Sequence, residues 1–225
     1  MQIDFHAHIL PGADHGSRNV ETSLKQLQLA RAAGIDRIIA TPHFYPAHDT
    51  AEAFLARRER TFARLQEADE QHAREVLKGA EVHLCAGLHH MKDLDQFCVE
   101  GTSVLLLELP MDFSIDPYVT TLDGLLYERK LTVVLAHIDR YATQHIEFLL
   151  DSGFLGQLNA ASFCHIRTKK RSLQWAERPE VVAFGSDIHG TEIGYSEFLK
   201  AKQRLGTGFD QIMKRTEHLL ETNKI

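Results

Sequence analysis

The chain has little cysteine, no basic run and no long apolar stretch, and each shortage removes a class of function. Its three cysteines, Cys85, Cys98 and Cys164, are odd in number and show no CxxC spacing. A disulfide framework is therefore not expected, and a reducing cytoplasm fits this usage. The positions where a cysteine-dependent phosphatase would place its phosphate-cradling arginine hold Met91, Val104 and Lys170. The net charge of −6, without a Lys/Arg run, argues against nucleic acid or an anionic membrane as partner. The longest strongly apolar run, around Val104–Leu109, is too short to span a bilayer, so no membrane insertion is expected. Met1–Phe5 leads straight into the first motif with no basic n-region, so no signal peptide is expected either. The single tryptophan, Trp175, and the phenylalanines read as packing residues. With no repeat, linker or low-complexity tract, residues 1–225 are expected to form a single domain with a substantial core.

Histidine, by contrast, is abundant, with fourteen in the chain. Apolar runs that read as strands alternate with amphipathic segments that read as helices. The strands are expected at Gln2–Phe5, Ile35–Ala40, Leu77–Val82, Val104–Leu109, Leu131–Ala136, Leu155–Ala160 and Val181–Phe184. The helices are expected at Val20–Ala33, Ala51–Arg74, Tyr118–Arg129, Thr143–Leu150, Thr168–Trp175, Glu197–Leu205 and Phe209–Glu221. Gly34 stops the first helix, Thr143 is a plausible cap, and Phe54, Phe62 and Leu65 form the buried stripe of the second. The βα alternation implies an α/β fold with a parallel sheet, and about seven strands suggest a barrel.

Potential metal ligands sit at the end of nearly every apolar run: His6 and His8, His43, Glu81, Glu108, His137, Asp187 and His189. Side chains at strand ends of an α/β barrel converge on one face. His6-Ala-His8 and Asp187-Ile-His189 are x-spaced pairs, so each presents both side chains to one side of an extended segment. Glu81 and Glu108 end apolar runs, where a buried carboxylate is costly unless a cation compensates. Asp14-His15-Gly16 lies in a loop opened by Pro11-Gly12, and its composition alone also fits an ordinary turn. Each motif alone is weak. Their recurrence at successive strand ends is strong, and all donors are N or O, which suits Mn, Fe, Zn or Mg.

These motifs resemble the PHP (polymerase and histidinol phosphatase) superfamily over essentially the whole chain. More narrowly, they resemble bacterial metal-dependent protein-tyrosine phosphatases encoded with capsule and exopolysaccharide genes. The matching segments are Ile3-Asp4-Phe5-His6-Ala7-His8-Ile9-Leu10-Pro11-Gly12, Ala40-Thr41-Pro42-His43, Gly79-Ala80-Glu81, Leu107-Glu108-Leu109-Pro110, Ala136-His137-Ile138-Asp139-Arg140-Tyr141, Gln157-Leu158-Asn159-Ala160 and Gly185-Ser186-Asp187-Ile188-His189. The resemblance implies a distorted seven-stranded (β/α)7 TIM-like barrel, the PHP fold, holding three divalent metal ions, with manganese expected and iron or zinc as alternatives. It implies that His6, His8, Glu81 and Asp187 hold the first ion. Glu81 would bridge to a second ion with Glu108 and His137. The third would take the Asp14/His15 loop, His43 and His189.

Two departures stand out. The branch usually reads Asp-Asp-Gly where this chain has Asp14-His15-Gly16, which leaves open whether Asp14 or His15 is the ligand. The branch also tends to carry an arginine after its Ser-Asp-x-His motif, whereas Gly190–Tyr195 has none. Arg140 is then the main phosphate-clamping candidate, with a surface ion pair as its alternative role. Arg140, His43 and His137 are the candidate catalytic residues.

The activity implied is phosphomonoester hydrolysis by a metal-bound hydroxide, on a phosphotyrosine protein substrate. The resemblance points to a bacterial tyrosine kinase of polysaccharide export as that partner. The alternatives are a histidinol-phosphate or other small-molecule phosphatase, an amidohydrolase, and a non-catalytic metal-binding regulatory subunit.

Overall fold

A computed structural model describes residues 1–190 and 193–225 of the chain. The first strand, β1 (Ile3–Ala7), is buried along its whole length. Helix α1 (Val20–Ala32) begins where the Asn19 side chain accepts from the Thr22 amide. It ends before Gly34, whose φ of 79° is the left-handed conformation that suits glycine. Strand β2 (Arg37–Ala40) stops at Thr41-Pro42, because proline has no N–H for a ladder, and resumes as β3 (His43–Phe44).

The long charged segment forms α2 (Ala51–Ala68) and a short α3 (Glu70–Ala73), not one helix to Arg74. Asp69 divides them: its backbone leaves the helical region and its side chain caps α3 by accepting from the His72 amide. The expected strand at Leu77–Val82 is likewise two, β4 (Val76–Lys78) and β5 (Glu81–His83), interrupted at Gly79-Ala80. Strand β6 (Val104–Glu108) is followed by α4 (Val119–Asp123), which widens into a π-helical turn over Gly124–Glu128. Next come β7 (Thr132–Leu135), α5 (Thr143–Asp151), β8 (Leu155–Asn159), α6 (Ile166–Glu177) and β9 (Val181–Gly185). Helices α7 (Ile193–Leu205) and α8 (Thr207–Thr222) close the chain. Thr143 is not a cap: it is the first helical residue, and Ala142 before it makes no side-chain cap.

All the strand pairs are parallel. They form a three-stranded sheet, β1-β2-β4, and a six-stranded sheet, β3-β5-β6-β7-β8-β9. Among the described residues a regular closed ladder of seven strands is not observed. The ladder is broken where Pro42 and Gly79-Ala80 interrupt it, and β1 meets the chain just past β9 through an isolated Ala7–Ile188 bridge. That bridge carries two backbone hydrogen bonds, from the His8 amide to Ile188 O at 3.2 Å and from the Asp187 amide to His6 O at 2.7 Å. It therefore lays the two x-spaced ligand pairs side by side.

The core contains Phe44, Phe54 and Phe97, with ring centroids 4.4–5.1 Å apart. Phe184, Phe198 and Phe209 form edge-on contacts beneath β9. Phe54, Phe62 and Leu65 are buried as their spacing implied, and Trp175 is a packing residue. Among the described residues no helix is long and apolar enough to cross a membrane.

Candidate metal centre

The ligand-type residues meet at the carboxyl ends of the strands. His6 and His8 point the same way off β1, and their Nε2 atoms lie 3.1 Å apart. Register sets His43 of β3 beside Glu81 of β5. His6 and His8 Nε2 stand 3.2 and 3.3 Å from Glu81 Oε2. The same two nitrogens are 3.5 and 3.3 Å from Asp187 Oδ1. His137 Nε2 is 2.8 Å from Glu81 Oε1 and 3.7 Å from Glu108 Oε1. The His189 ring stacks on His8 at 4.1 Å, and the His15 ring lies parallel to His43 at 4.9 Å. Donor atoms within 4.8 Å of one another define three overlapping groups here: His6, His8 and Asp187; His8, His43 and His189; and His43, Glu81 and Glu108.

The histidines are oriented before any cation arrives. His8 Nδ1 donates to Asp14 Oδ2 at 2.7 Å. His6 Nδ1 faces Gln157 Oε1 at 3.3 Å. His189 Nδ1 donates to the Asp187 carbonyl at 2.9 Å. His137 Nδ1 faces the Tyr141 oxygen at 3.3 Å, while the Tyr141 hydroxyl itself donates to Leu109 O at 2.8 Å. These partners assign the proton to Nδ1 in each ring and leave the Nε2 lone pair facing the cluster. That is the arrangement of a metal-ligating imidazole. His43 is the exception, presenting Nδ1 to Glu81 Oε2 at 2.8 Å.

The electrostatics call for a cation. Nε2 lone pairs of His6 and His8 facing each other repel unless a positive charge lies between them. His43 Nδ1, Glu81 Oε2, Glu108 Oε2 and His189 Nε2 are all buried without a hydrogen-bond partner. The 2.8 Å approach of His43 to Glu81 is thus proximity without hydrogen-bond geometry. Burial, with the charge of Glu81, raises the Glu108 carboxyl to about 7. Burial works against protonating His8, but the carboxylates of Asp14, Asp187 and Glu81 beside it draw positive charge to this point and hold its pKa well above the ordinary imidazole value. Burial also opposes ionisation of Glu81, yet the charge of His6 and the close approach of the His137 and His43 rings keep it well below the carboxylate range. The donor set is buried, anionic and all N or O, and it fits divalent ions.

Backbone strain supports the same place. His137 has φ of 33° and Asp187 φ of 52°, both in the left-handed region that non-glycine residues seldom adopt. Each lies two residues beyond the end of a strand, β7 (ending at Leu135) or β9 (ending at Gly185). Close packing adds to this: a Cβ at Gly16 would stand 2.2 Å from His8 Cβ, and one at Gly185 would stand 2.5 Å from His6 Cβ.

The cluster floors a cleft of about 610 Å³ whose wall includes His15, Tyr45, Glu108, Arg140, Asn159 and His189. Arg140 donates to Asp187 Oδ2, with its side chain 41% exposed at the rim. The Asp14 carboxylate is taken up by His8 Nδ1 and by the amides of Gly16 and His43 at 2.9 and 3.0 Å.

Three contributors had no role assigned from sequence. Gln157 accepts from the His137 amide at 2.7 Å as well as facing His6. Asn159 Nδ2 donates to Asp187 Oδ2 at 2.8 Å. Both are polar residues buried in the otherwise apolar β8, and that is the signal that marks them. Tyr45 stacks on His43 at 5.2 Å and borders a second, apolar hollow with Pro46, His83 and Cys85.

A model of the capsular polysaccharide synthesis family CpsB/CapC matches residues 2–223. The chain belongs to this family. Among curated relatives, the tyrosine-protein phosphatase CpsB of Streptococcus agalactiae serotype III (strain NEM316) is 25% identical over 206 residues, covering 85% of this chain and 84% of that one. The tyrosine-protein phosphatase YwqE of Bacillus subtilis (strain 168) is 25% identical over 199 residues, covering 84% and 78%. A crystal structure from work on YwqE of Bacillus subtilis and CpsB of Streptococcus pneumoniae, described as unique metal-dependent tyrosine phosphatases, superposes with a TM-score of 0.80. It is 24% identical and covers 100% of this chain and 96% of that one, which fixes the shared family fold.

Proposed function

We propose that this protein is a metal-dependent phosphomonoester hydrolase that acts on phosphotyrosine in a protein. The observation that carries this reading is the preset Nε2 array of His6, His8 and His137 around the buried carboxylate of Glu81. The family assignment supplies the substrate class, since the curated relatives are tyrosine-protein phosphatases. A tyrosine kinase of polysaccharide export is the proposed partner, in the cytoplasm.

We read residues 1–225 as one domain, supported by a continuous hydrophobic core. Taking β2 with β3 and β4 with β5, the strands run in the order of a seven-stranded barrel, drawn together at the Ala7–Ile188 bridge. Three divalent ions, manganese first and iron or zinc as alternatives, would be shared among His6, His8, Glu81, Glu108, His137, Asp187, His43, His189 and His15. Asp14 is read as the carboxylate that orients His8, because both its oxygens are already occupied. His15, stacked on His43 and tilted against His189, faces the third position instead.

When bound, divalent ions at such a shell lower the pKa of water and neutralise phosphoryl charge. The chain's own residues do the rest. Arg140, at the rim, presents a planar guanidinium that can engage phosphoryl oxygens as a fork. Asn159 and Gln157 hold Asp187, His6 and His137 in place, so the shell needs little reorganisation on reaction. Tyr45 forms the wall against which an aryl leaving group would lie. A tyrosine phenolate, with a pKa near ~10, departs with little protonation, so the cleft needs no dedicated acid for this substrate.

The test is phosphate release from a phosphotyrosine peptide, with a phosphoserine peptide and histidinol phosphate alongside, in Mn²⁺ and after chelation. Metal-dependent turnover of phosphotyrosine alone is expected. Turnover of histidinol phosphate alone would move the protein to a small-molecule reading. Metal binding without turnover of any of them would leave a regulatory subunit.

A further inference from the structure

The chain leaving β5 turns at Gly87, whose φ of 78° is left-handed, and enters a 3-10 turn over Leu88–His90. The Gly87 amide donates to Thr121 Oγ1 of α4 at 2.8 Å, which fastens this loop to the helix. Where α4 widens into the π-helical turn, Gly124 has no side chain, and a Cβ there would stand 2.3 Å from His89 Cδ2. The His89 ring therefore lies directly on the helix backbone, 4% exposed. Its Nδ1 is buried with no hydrogen-bond partner among the described residues. The His90 ring follows at a centroid distance of 3.8 Å, tilted by 43°. Glu128, at the far end of the π turn, completes the group: one donor atom from each of His89, His90 and Glu128 lies within 4.8 Å of the others.

We propose that His89, His90 and Glu128 form a second divalent-metal site, separate from the centre at the strand ends. None of the three lines the cleft described above. The π turn contributes directly. It adds one residue to the helical turn, with the Arg129 amide donating to Gly124 O at 2.9 Å. Residues at its end are thereby rotated by roughly 100° relative to a continuous α-helix. The neighbouring cation Arg129 is committed elsewhere, to Met91 O and to Asp95, so its charge is held by an acid rather than left facing the group.

An N2O donor set with two imidazoles suits zinc, nickel, cobalt or copper better than magnesium or calcium, which prefer all-oxygen shells. Three protein donors leave a position for water. A cation here would pin the loop that follows Glu81 and His83 to the helix that follows Glu108. It would thus tie together the two strands that supply Glu81 and Glu108 to the main centre.

The experiment uses the full chain, stripped of metal and dialysed against micromolar Zn²⁺, with bound zinc counted by elemental analysis. His90 and Glu128 are exposed, so the double variant His90→Ala/Glu128→Gln is expected to fold normally. It should bind one zinc equivalent fewer than the unmodified chain and keep its phosphotyrosine hydrolysis in Mn²⁺. Zn²⁺ should also raise the Tm of the unmodified chain more than that of the double variant. Equal zinc content in the two proteins would overturn the site, whatever the main centre does.

Discussion

The floor and the rim of the cleft are built differently. On the floor, His6, His8, Glu81 and His137 are at most 1% exposed, and each histidine has its outer nitrogen tied to a partner from a neighbouring segment. At the rim, Arg140 keeps a side-chain exposure of 41%, and Tyr45 is only partly buried. The floor is overdetermined, with strained backbone at His137 and Asp187 held by the surrounding structure. The rim has freedom to meet a substrate. Groups that must hold cations are fixed from behind, and groups that choose what enters are left room to move.

Substitutions at four positions sharpen that contrast, in decreasing order of effect. Glu81→Ala removes the carboxylate shared by the floor histidines. It should lower kcat by about 10³-fold, as several kcal/mol of lost charge stabilisation implies. Metal analysis on the same variant should show fewer bound ions; a full complement with full activity would dissolve the floor as a functional unit. Arg140→Ala should reduce kcat/KM on a phosphotyrosine peptide by about 10²-fold, the scale of losing one preorganised donor. Arg140→Lys should recover only part of this, since an ammonium lacks the guanidinium fork. Complete recovery by lysine would show that charge alone matters at the rim.

Gln157→Leu touches neither metal nor substrate but frees His6 and His137. It should weaken metal affinity by roughly 10- to 100-fold, measured by competition with a chelating dye. A change in KM without a change in metal affinity would place Gln157 at the rim instead. Tyr45→Ala should act mainly on KM, raising it roughly fivefold for a phosphotyrosine peptide, the worth of one aromatic contact. Steady-state kinetics showing a kcat loss with KM unchanged would assign Tyr45 to the floor.

Much of the floor was legible because two simple rules apply to it. Period-two spacing on extended chain put His6 with His8 and Asp187 with His189. A carboxylate ending an apolar run flagged Glu81 and Glu108 as needing a cation. What stayed hidden depended on contacts distant in sequence. The Asp14-His15 loop reads as a turn in isolation; that Asp14 accepts from His8 and the His43 amide comes only from the folded chain. Gln157 and Asn159 lie in a segment the family resemblance picked out, yet their hydrogen bonds to His6, His137 and Asp187 come from tertiary pairing of β8 with its neighbours.

The fold divides in the same way. Strand positions followed from apolar runs, whereas the breaks at Pro42 and Gly79-Ala80 split two of them into short pieces. Pro42 was visible in sequence as a strand end, but not that His43-Phe44 would pair again beyond it. The π turn at Gly124–Glu128 left no periodic signature, since the expected helix over Tyr118–Arg129 covers it without distinction.

The central claim is that the floor holds divalent ions through Nε2 of His6 and His8 with Glu81 and Asp187. Anomalous diffraction from crystals grown in Mn²⁺, recorded at the manganese edge, tests it most directly. The expected result is a peak among those four residues, with further density toward Glu108 and His137 and toward His43 and His189. An empty floor at saturating Mn²⁺, in protein that still hydrolyses phosphotyrosine, would contradict the account.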